Sequence, residues 1–170
     1  MRNALGWWWH TPHDTLDKID EANLVRDTKV YVHTLHRLLT DGVLPIDFVA
    51  HADALLAELA ALRAALGAQF DLGRLVAAAQ GLREVAAAGD ASDRALMRAS
   101  RALDPLYYTT GDRFDHDPAL PLPAWPVLEP LRALAKTAPE SDAARFLTVS
   151  AMRGRNRLLQ ALLAATGALA

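Results

Sequence analysis

Apolar residues recur at alternating steps of four and three positions in the second quarter of the chain, and this periodicity limits the possible folds more than any other pattern. The stripe consists of Phe48, Ala52, Leu55, Leu59, Leu62 and Leu66. Such spacing places the side chains on one face of an α-helix, and that face needs an apolar partner. The composition also favours helix, since 34 alanines and 29 leucines outnumber 11 valines and isoleucines. The sequence therefore predicts an all-α fold in which helices pack as a bundle.

Glycines and prolines divide this periodic sequence into four to five predicted helices. The predicted breaks lie at residues 42–45, 67–71, 89–91 and 104–128. Asp20 and Ser92 precede two helices as caps, because their side-chain oxygens can accept hydrogen bonds from free N–H groups. Pro139 is expected in the first turn of the last helix. Gly154 lies on the apolar stripe of that helix, so we expect a close helix crossing there.

Two segments depart from the helical pattern. Seven of the nine prolines lie between Pro105 and Pro139. Because proline lacks a backbone donor, residues 104–138 are expected to be mostly loop, with room for a short helix at residues 128–135. Residues 1–20 are also irregular, with three consecutive tryptophans followed by a polar stretch. We expect them to form a terminal segment that precedes the bundle.

The composition excludes several classes of protein. Cysteine is absent, which rules out a disulfide scaffold, a thiolate nucleophile and any Cys-ligated metal. The formal net charge of −2 gives no basic field for nucleic acid, and charges or prolines interrupt every long apolar run. We therefore expect no nucleic-acid partner and no membrane partner. The lack of a signal-peptide pattern and of cysteine indicates the cytoplasm.

Chemistry-bearing residues concentrate at residues 7–20, with the sequence WWWHTPHDTLDKID. Imidazole is the usual zinc ligand where cysteine is absent, and the stiff pair that follows His10 places it on a restrained turn. Spacing alone leaves two interpretations open, because a histidine beside tryptophans is also common as a hydrogen-bonded packing residue. A chelating pair of His10 and His13 is less favourable, since Pro12 interrupts a regular helical turn between them.

The string HTPHDT, from His10 to Thr15, resembles the last metal-ligand motif of the co-catalytic di-zinc peptidases. This family includes bacterial aminopeptidases and glutamate carboxypeptidase. Its motif reads His-Thr-Pro-X-Asp-Thr, and the histidine binds one of two zinc ions. The resemblance implies that His10 is a zinc ligand and that Asp14 and Thr15 support it. His13 occupies the variable position of the motif and inherits no role.

The resemblance extends beyond the motif. Residues 42–56 (GVLPIDFVAHADALL) are similar to the start of the helical dimerisation domain of glutamate carboxypeptidase and the transferrin receptor. Residues 101–118 (RALDPLYYTTGDRFDHDP) resemble the segment that, in glutamate carboxypeptidases, folds towards the active site and the dimer partner. Residues 1–20 would then end a peptidase catalytic domain, and residues 21–170 would form a transferrin-receptor-like dimerisation domain. The resemblance also implies a homodimer and a substrate-pocket or partner loop containing Tyr107, Tyr108, Asp112, Arg113, Phe114 and His116.

The functional expectation follows from the ligands that this chain lacks. The family's bridging aspartate, catalytic glutamate and other zinc ligands lie upstream of the motif, and the chain begins nine residues before His10. A catalytic zinc needs about three protein ligands, so one imidazole cannot hold it. We therefore predict a dimerisation and completion module of a zinc metallopeptidase, of aminopeptidase or carboxypeptidase type. It has no catalytic residue of its own, is inactive alone, and acquires zinc with a catalytic domain that can be supplied in trans.

Two other interpretations stay open. One is a non-catalytic helical module for protein–protein interaction. The other is an independent enzyme built on one of two sets, His10, His13, Asp14 and Asp17, or His33, His36 and His51. Self-association as a twofold homodimer is expected, because the stripe at residues 48–66 and the tryptophans at residues 7–9 present more apolar surface than a small monomer usually exposes.

Overall fold

The structure, a computed structural model, describes residues 6–108 and 122–170. The described residues fall into two compact units, residues 6–45 and residues 46–108 with 122–170. All regular structure in these residues is helical, which confirms the predicted all-α class. The helices are α1 (Glu21–Thr40), α2 (Phe48–Leu66), α3 (Gly73–Ala87), α4 (Asp93–Tyr108), α5 (Glu129–Leu134) and α6 (Asp142–Leu169).

The first unit consists of an irregular segment followed by α1. Turns cover residues 7–13, and a short 3₁₀ helix spans Leu16–Lys18. Asp20 caps α1, because its side chain accepts a hydrogen bond of 2.9 Å from the backbone N–H of Asn23. The predicted cap is therefore confirmed. No residue of α1 is buried.

The second unit is a bundle of α2–α6 arranged around α6. This 28-residue helix contacts α3, α4 and α5, and at 1.5 Å per residue it is about 42 Å long. α2 contacts α3 and α5. None of the helices in the described residues is both long enough and apolar enough to cross a membrane.

The core of the bundle is built mainly from leucine. The fully buried leucines are Leu55, Leu59, Leu72, Leu75, Leu82, Leu103, Leu128, Leu131, Leu134, Leu158 and Leu162. All six members of the predicted stripe at residues 48–66 are buried. The expectation that this stripe stays exposed for self-association is therefore wrong, because α3 and α5 pack against α2 and the stripe forms part of the monomer core. Trp7 and Trp9 are exposed, as that expectation supposed.

Most predicted helix ends agree with the structure, and two do not. No helix is present at residues 42–45, and only a short 3₁₀ turn lies within residues 67–71. Ser92 acts as the predicted cap, because its hydroxyl accepts a 3.4 Å hydrogen bond from the N–H of Ala95. α4, however, continues through Pro105 to Tyr108, because buried Leu103 and Leu106 stabilise its last turns. The last helix begins at Asp142 rather than at Pro139, since Ser141 supplies the cap.

The predicted loop at residues 104–138 is only partly described, because residues 109–121 lie outside the described part of the chain. From Trp125 onward the segment contains two short elements. A 3₁₀ turn at Pro126–Leu128 leads directly into α5, which confirms the short helix expected at residues 128–135.

Gly154 lies at the tightest contact of α6. A Cβ atom at this position would lie 2.6 Å from the backbone carbonyl oxygen of Val127. The expected close approach therefore exists, but its partner is the 3₁₀ turn before α5 rather than a crossing long helix. Because the opposing atom belongs to the backbone, it cannot rotate away from an added methyl group.

We predict that Gly154→Ala lowers the free energy of unfolding by about 1–3 kcal/mol, the usual cost of overpacking. Gly81 on α3 is the matched control, because an added Cβ there meets nothing within 4 Å. Gly81→Ala should raise the free energy of unfolding by about 0.5–1 kcal/mol through helix propensity. Urea denaturation followed by circular dichroism measures both, and an equal stabilisation by the two variants would contradict the prediction.

Candidate functional site

The turn that carries His10 is held by local hydrogen bonds. The backbone N–H of His10 donates to Oδ2 of Asp14 over 3.2 Å, and the hydroxyl of Thr11 donates to the carbonyl of Trp8 over 2.6 Å. The hydroxyl of Thr15 donates to the carbonyl of His13 over 3.3 Å. His10 has a φ of 60°, in the left-handed region that few residues other than glycine adopt. Backbone strain of this kind is frequent at functional sites.

The imidazole of His10 is exposed and stacks on the indole of Trp9. The two ring centroids are 3.7 Å apart, and the ring planes differ by 22°. Within the described residues the imidazole forms no hydrogen bond, so both ring nitrogens are open to a ligand or a metal. His13 is turned towards another ring, 5.4 Å from the centroid of Trp7.

The described residues contain no group of three or more His, Asp or Glu side chains that could hold a metal ion. His10 would supply one imidazole ligand to any zinc site that it joins. The independent-enzyme interpretation gains nothing from the structure. His33 and His36 lie exposed on α1, whereas His51 lies half-buried on α2.

A second cluster forms in the bundle around Tyr107, one of the predicted loop residues. We call it the aromatic cluster, and it consists of Phe48, His51, Tyr107 and Trp125. The ring of His51 lies 5.0 Å from that of Tyr107 and 4.8 Å from that of Trp125. Tyr107 meets Trp125 edge to face at 4.9 Å. Tyr108, at the exposed end of α4, contacts only the edge of this cluster through Tyr107.

Trp125 is the buried centre of the aromatic cluster and is held in a strained conformation. Its side chain is 1% exposed, and its φ is 54°. The guanidinium of Arg132 donates to the carbonyl of Trp125 over 3.3 Å and to that of Ala124 over 2.7 Å. The same guanidinium donates twice to Oε1 of Glu58, over 2.9 and 2.6 Å. Arg132 thus ties the strained turn to α2.

Burial sets the electrostatics of the aromatic cluster. It lowers the pKa of His51 below the usual 6.5, and the carboxylate of Asp104 opposes this change. Although Asp104 lies at the surface, its neighbours partly exclude water from its carboxyl group and raise its pKa. Burial also raises the pKa of Tyr108. Nε2 of His51 and Nε1 of Trp125 are buried and have no hydrogen-bond partner.

The structure brings together only some of the residues selected from the sequence. His10, Asp14 and Thr15 share one turn, and Tyr107 and Tyr108 end α4, in the other unit. Asp112, Arg113, Phe114 and His116 lie outside the described residues. Sequence analysis missed Trp125, Arg132 and the packing of His51. A signal existed for His51, which falls three residues after Phe48 and so lies on the buried side of α2.

Comparison of the chain with protein-family models, with curated proteins and with solved structures gave no match. The likeness to di-zinc peptidases therefore rests on the residues quoted above and on nothing else. The chain's function is accordingly a matter for proposal.

We predict that the aromatic cluster makes stability depend on pH. Because the folded state disfavours protonated His51, the unfolded chain binds a proton more readily, and the free energy of unfolding should fall as pH decreases below about 6.5. The raised pKa of Asp104 makes the free energy of unfolding rise as pH falls further. The measurement is therefore confined to the range from about pH 8 to about pH 5.5.

Urea unfolding at each pH tests this dependence. His51→Gln, which stays neutral, should flatten the fall, whereas His33→Gln on the exposed face of α1 should leave it unchanged. An equal slope for His51→Gln and the parent chain would show that another group titrates.

Proposed function

We propose that this chain is the helical dimerisation and completion module of a zinc-dependent peptidase of aminopeptidase or carboxypeptidase type. The observation that carries the proposal is the exposed apolar face of α1, a helix that begins eleven residues after His10. A catalytic domain that packs on this face would take His10 as one of its zinc ligands. That domain is supplied in trans or by a further part of the protein.

The apolar face of α1 has the form of an interaction surface. It comprises Leu24, Val25, Tyr31, Val32, Leu35, Leu38 and Leu39, at helical spacing. Tyr31 is 72% exposed and Leu35 is 57% exposed. Packing of an apolar face supplies most of the stability of a helix in a protein. A contiguous exposed apolar face therefore favours a partner.

The His10 turn suits a ligand that completes a site on another surface. Its imidazole is exposed, and the carboxylate of Asp14 fixes the backbone at His10. Zinc, when bound, acts as a Lewis acid and lowers the pKa of its water. Within this chain, His10 would bind the metal, Asp14 and Thr15 would hold the turn, and Trp9 would restrict the rotation of the imidazole by stacking.

Three further elements of the proposal rest on the resemblance and on composition. The chain forms a homodimer, a substrate pocket or partner contact includes Tyr107, Tyr108, Asp112, Arg113, Phe114 and His116, and the chain acts in the cytoplasm. The absence of cysteine supports a reducing compartment. Of the residues in this set, Tyr107 is held at the end of α4 by His51 and Trp125 of the aromatic cluster.

A non-catalytic helical interaction module is the second candidate. The same exposed face of α1 favours it. The two candidates differ in what the partner does. Only the peptidase module requires that His10 reach a zinc ion.

We predict that the chain alone hydrolyses no aminoacyl or glutamyl substrate above background with zinc added, since one imidazole cannot hold a catalytic zinc. The same assay is then repeated with a di-zinc aminopeptidase catalytic domain that is shortened to end before its own His-Thr-Pro motif. Addition of this chain should restore turnover and zinc content. His10→Ala should reduce restored turnover at least about 100-fold.

His13→Ala is the matched control, because His13 occupies the variable position of the motif, and it should restore turnover like the parent chain. Restoration by His10→Ala at the parent level would refute the role of His10. A stable complex without turnover would favour the non-catalytic module. Turnover by the chain alone that disappears in His10→Ala would contradict the expectation that it is inactive by itself.

We also predict that a charge on the apolar face of α1 weakens this complex. Leu35→Glu should raise the concentration needed for half-maximal restoration by roughly 30-fold or more, because it buries an unpaired carboxylate at the contact. Val30→Glu is the matched control, since Val30 lies on the opposite face of α1 and is equally exposed. Equal effects of both variants would contradict docking through the apolar face.

A further inference from the structure

We propose that α4 and the adjoining part of α6 form a docking surface for an acidic segment of a partner protein, one that carries carboxylates beside apolar side chains. This inference does not rest on the peptidase role, because it uses neither His10 nor α1. It assigns a partner chemistry to a face of the bundle that the proposed function leaves unused.

Three arginines lie along one exposed face of α4. Arg94, Arg98 and Arg101 follow each other at steps of four and three residues, which places them on one side of the helix. We call this set the arginine face. Together with Met97, the three side chains line a surface depression of about 340 Å³. Arg94 and Arg101 lie about 10 Å apart along the helix axis.

The arginine face has no internal counter-charge in the described part of the chain. None of the ion pairs there includes any of its three side chains. Other arginines of the bundle are paired, such as Arg83 with Asp53 and Arg132 with Glu58. The guanidinium groups of the arginine face are therefore open to an external anion.

Helix stability does not account for these arginines either. Like charges three and four residues apart repel each other on a helix surface. All three arginines also lie within the first nine residues of α4, whereas the helix dipole stabilises cations near the C-terminal end. Carboxylates of a partner would neutralise this repulsion.

A second depression continues the surface between α4 and α6. It has a volume of about 470 Å³, and its lining includes Ala102, which lies one helical turn after Arg98 on the same side of α4. The other lining residues include apolar Leu106 of α4 and the polar residues Asn156, Arg157 and Gln160 of α6. The surface therefore offers positive charge along α4 and a mixed apolar and polar groove beside it.

This combination fits an acidic peptide segment better than a nucleic acid. Guanidinium groups bind carboxylates through two parallel hydrogen bonds. The net charge of −2 provides no long-range attraction for a polyanion. Met97, Ala102 and Leu106 match aliphatic side chains rather than a sugar–phosphate backbone. An amphipathic segment with carboxylates about one helical turn apart would contact both the arginines and the groove.

Fluorescence anisotropy with a defined probe tests this assignment on the full chain. The probe is a fluorescein-labelled peptide of about 15 residues that contains only Glu, Leu and Ala, with Glu at steps of four and three. We expect a Kd of the order of 100 μM at about 50 mM salt, rising at least about threefold at about 300 mM salt because exposed charges are screened. The same peptide with Gln in place of Glu, or with Ser in place of Leu, should bind at least about 10-fold more weakly.

Arg98→Glu is the central variant, because Arg98 lies in the middle of the arginine face. It should weaken binding of the acidic peptide at least about 10-fold. Arg74→Glu is the matched control, since Arg74 is an exposed arginine of α3 and its substitution changes the net charge by the same amount. This control should leave the Kd within about twofold of the parent value.

Urea denaturation supplies a readout that separates docking from a structural role. Arg98→Glu removes the repulsion with both Arg94 and Arg101, so this variant should unfold at the same urea concentration as the parent or at a higher one. Weaker binding should therefore accompany unchanged or increased stability. A loss of stability together with binding would mean that Arg98 supports the fold, and would contradict the proposal.

Three results of the binding assay would overturn the docking surface. One is no binding of the acidic peptide at about 1 mM, or equal weakening by Arg98→Glu and Arg74→Glu. Another is tighter binding of a single-stranded DNA of about 20 nucleotides that Arg98→Glu abolishes, which would assign the face to nucleic acid. The third is displacement of the peptide by about 10 mM inorganic phosphate at constant ionic strength, which would indicate a simple anion site.

Failure of this proposal and failure of the proposed peptidase role are distinguishable. The peptide assay involves neither zinc nor turnover, and Arg98→Glu leaves His10 and α1 unchanged. A chain that restores turnover but binds no acidic peptide would retain the peptidase role and lose this docking surface.

Discussion

Burial of one side of α6 is the constraint on which the rest of the bundle depends. Helices α3, α4 and α5 contact this helix, and Leu158 and Leu162 lie fully buried at its centre. The close contact at Gly154 also places the 3₁₀ turn of Val127 on α6. Trp125 lies two residues before Val127, so the position of the aromatic cluster follows from the packing of α6.

The strained turn at Trp125 shows how the bundle stabilises an unfavourable backbone conformation. A non-glycine residue in the left-handed region costs of the order of 1 kcal/mol or more. Two carbonyls of the turn accept hydrogen bonds from Arg132, and the indole fills a site between α2 and α4. Because Glu58 neutralises Arg132, the guanidinium can stay largely buried. The strain is therefore offset by contacts from three helices.

The sequence predicted features that local chemistry determines. Periodic leucines indicated the helices, and Asp20 and Ser92 indicated caps, because helix propensity and capping act over a few neighbouring residues. The C-terminal end of α4 and the start of α6 were mispredicted, since buried Leu106 and the Ser141 cap outweigh the proline rules there. The aromatic cluster joins residues 48, 51, 107 and 125, and no spacing in the sequence indicates that they meet. His10 was selected from the sequence because its motif is contiguous, and its role as a zinc ligand stays a prediction.

The two units differ in how fully their apolar faces are buried and their polar side chains are paired. In the bundle, the apolar stripes of α2, α3 and α4 are buried, and Arg132 is paired with Glu58. In the first unit, no residue of α1 is buried, and under the proposed function His10 would supply one of the about three ligands that a zinc ion needs. Both deficits lie within the same forty residues, and one partner surface could satisfy both. A partner for α1 alone would explain the exposed leucines but not the restrained and unbonded imidazole next to them, which is why the catalytic module is the stronger of the two proposals.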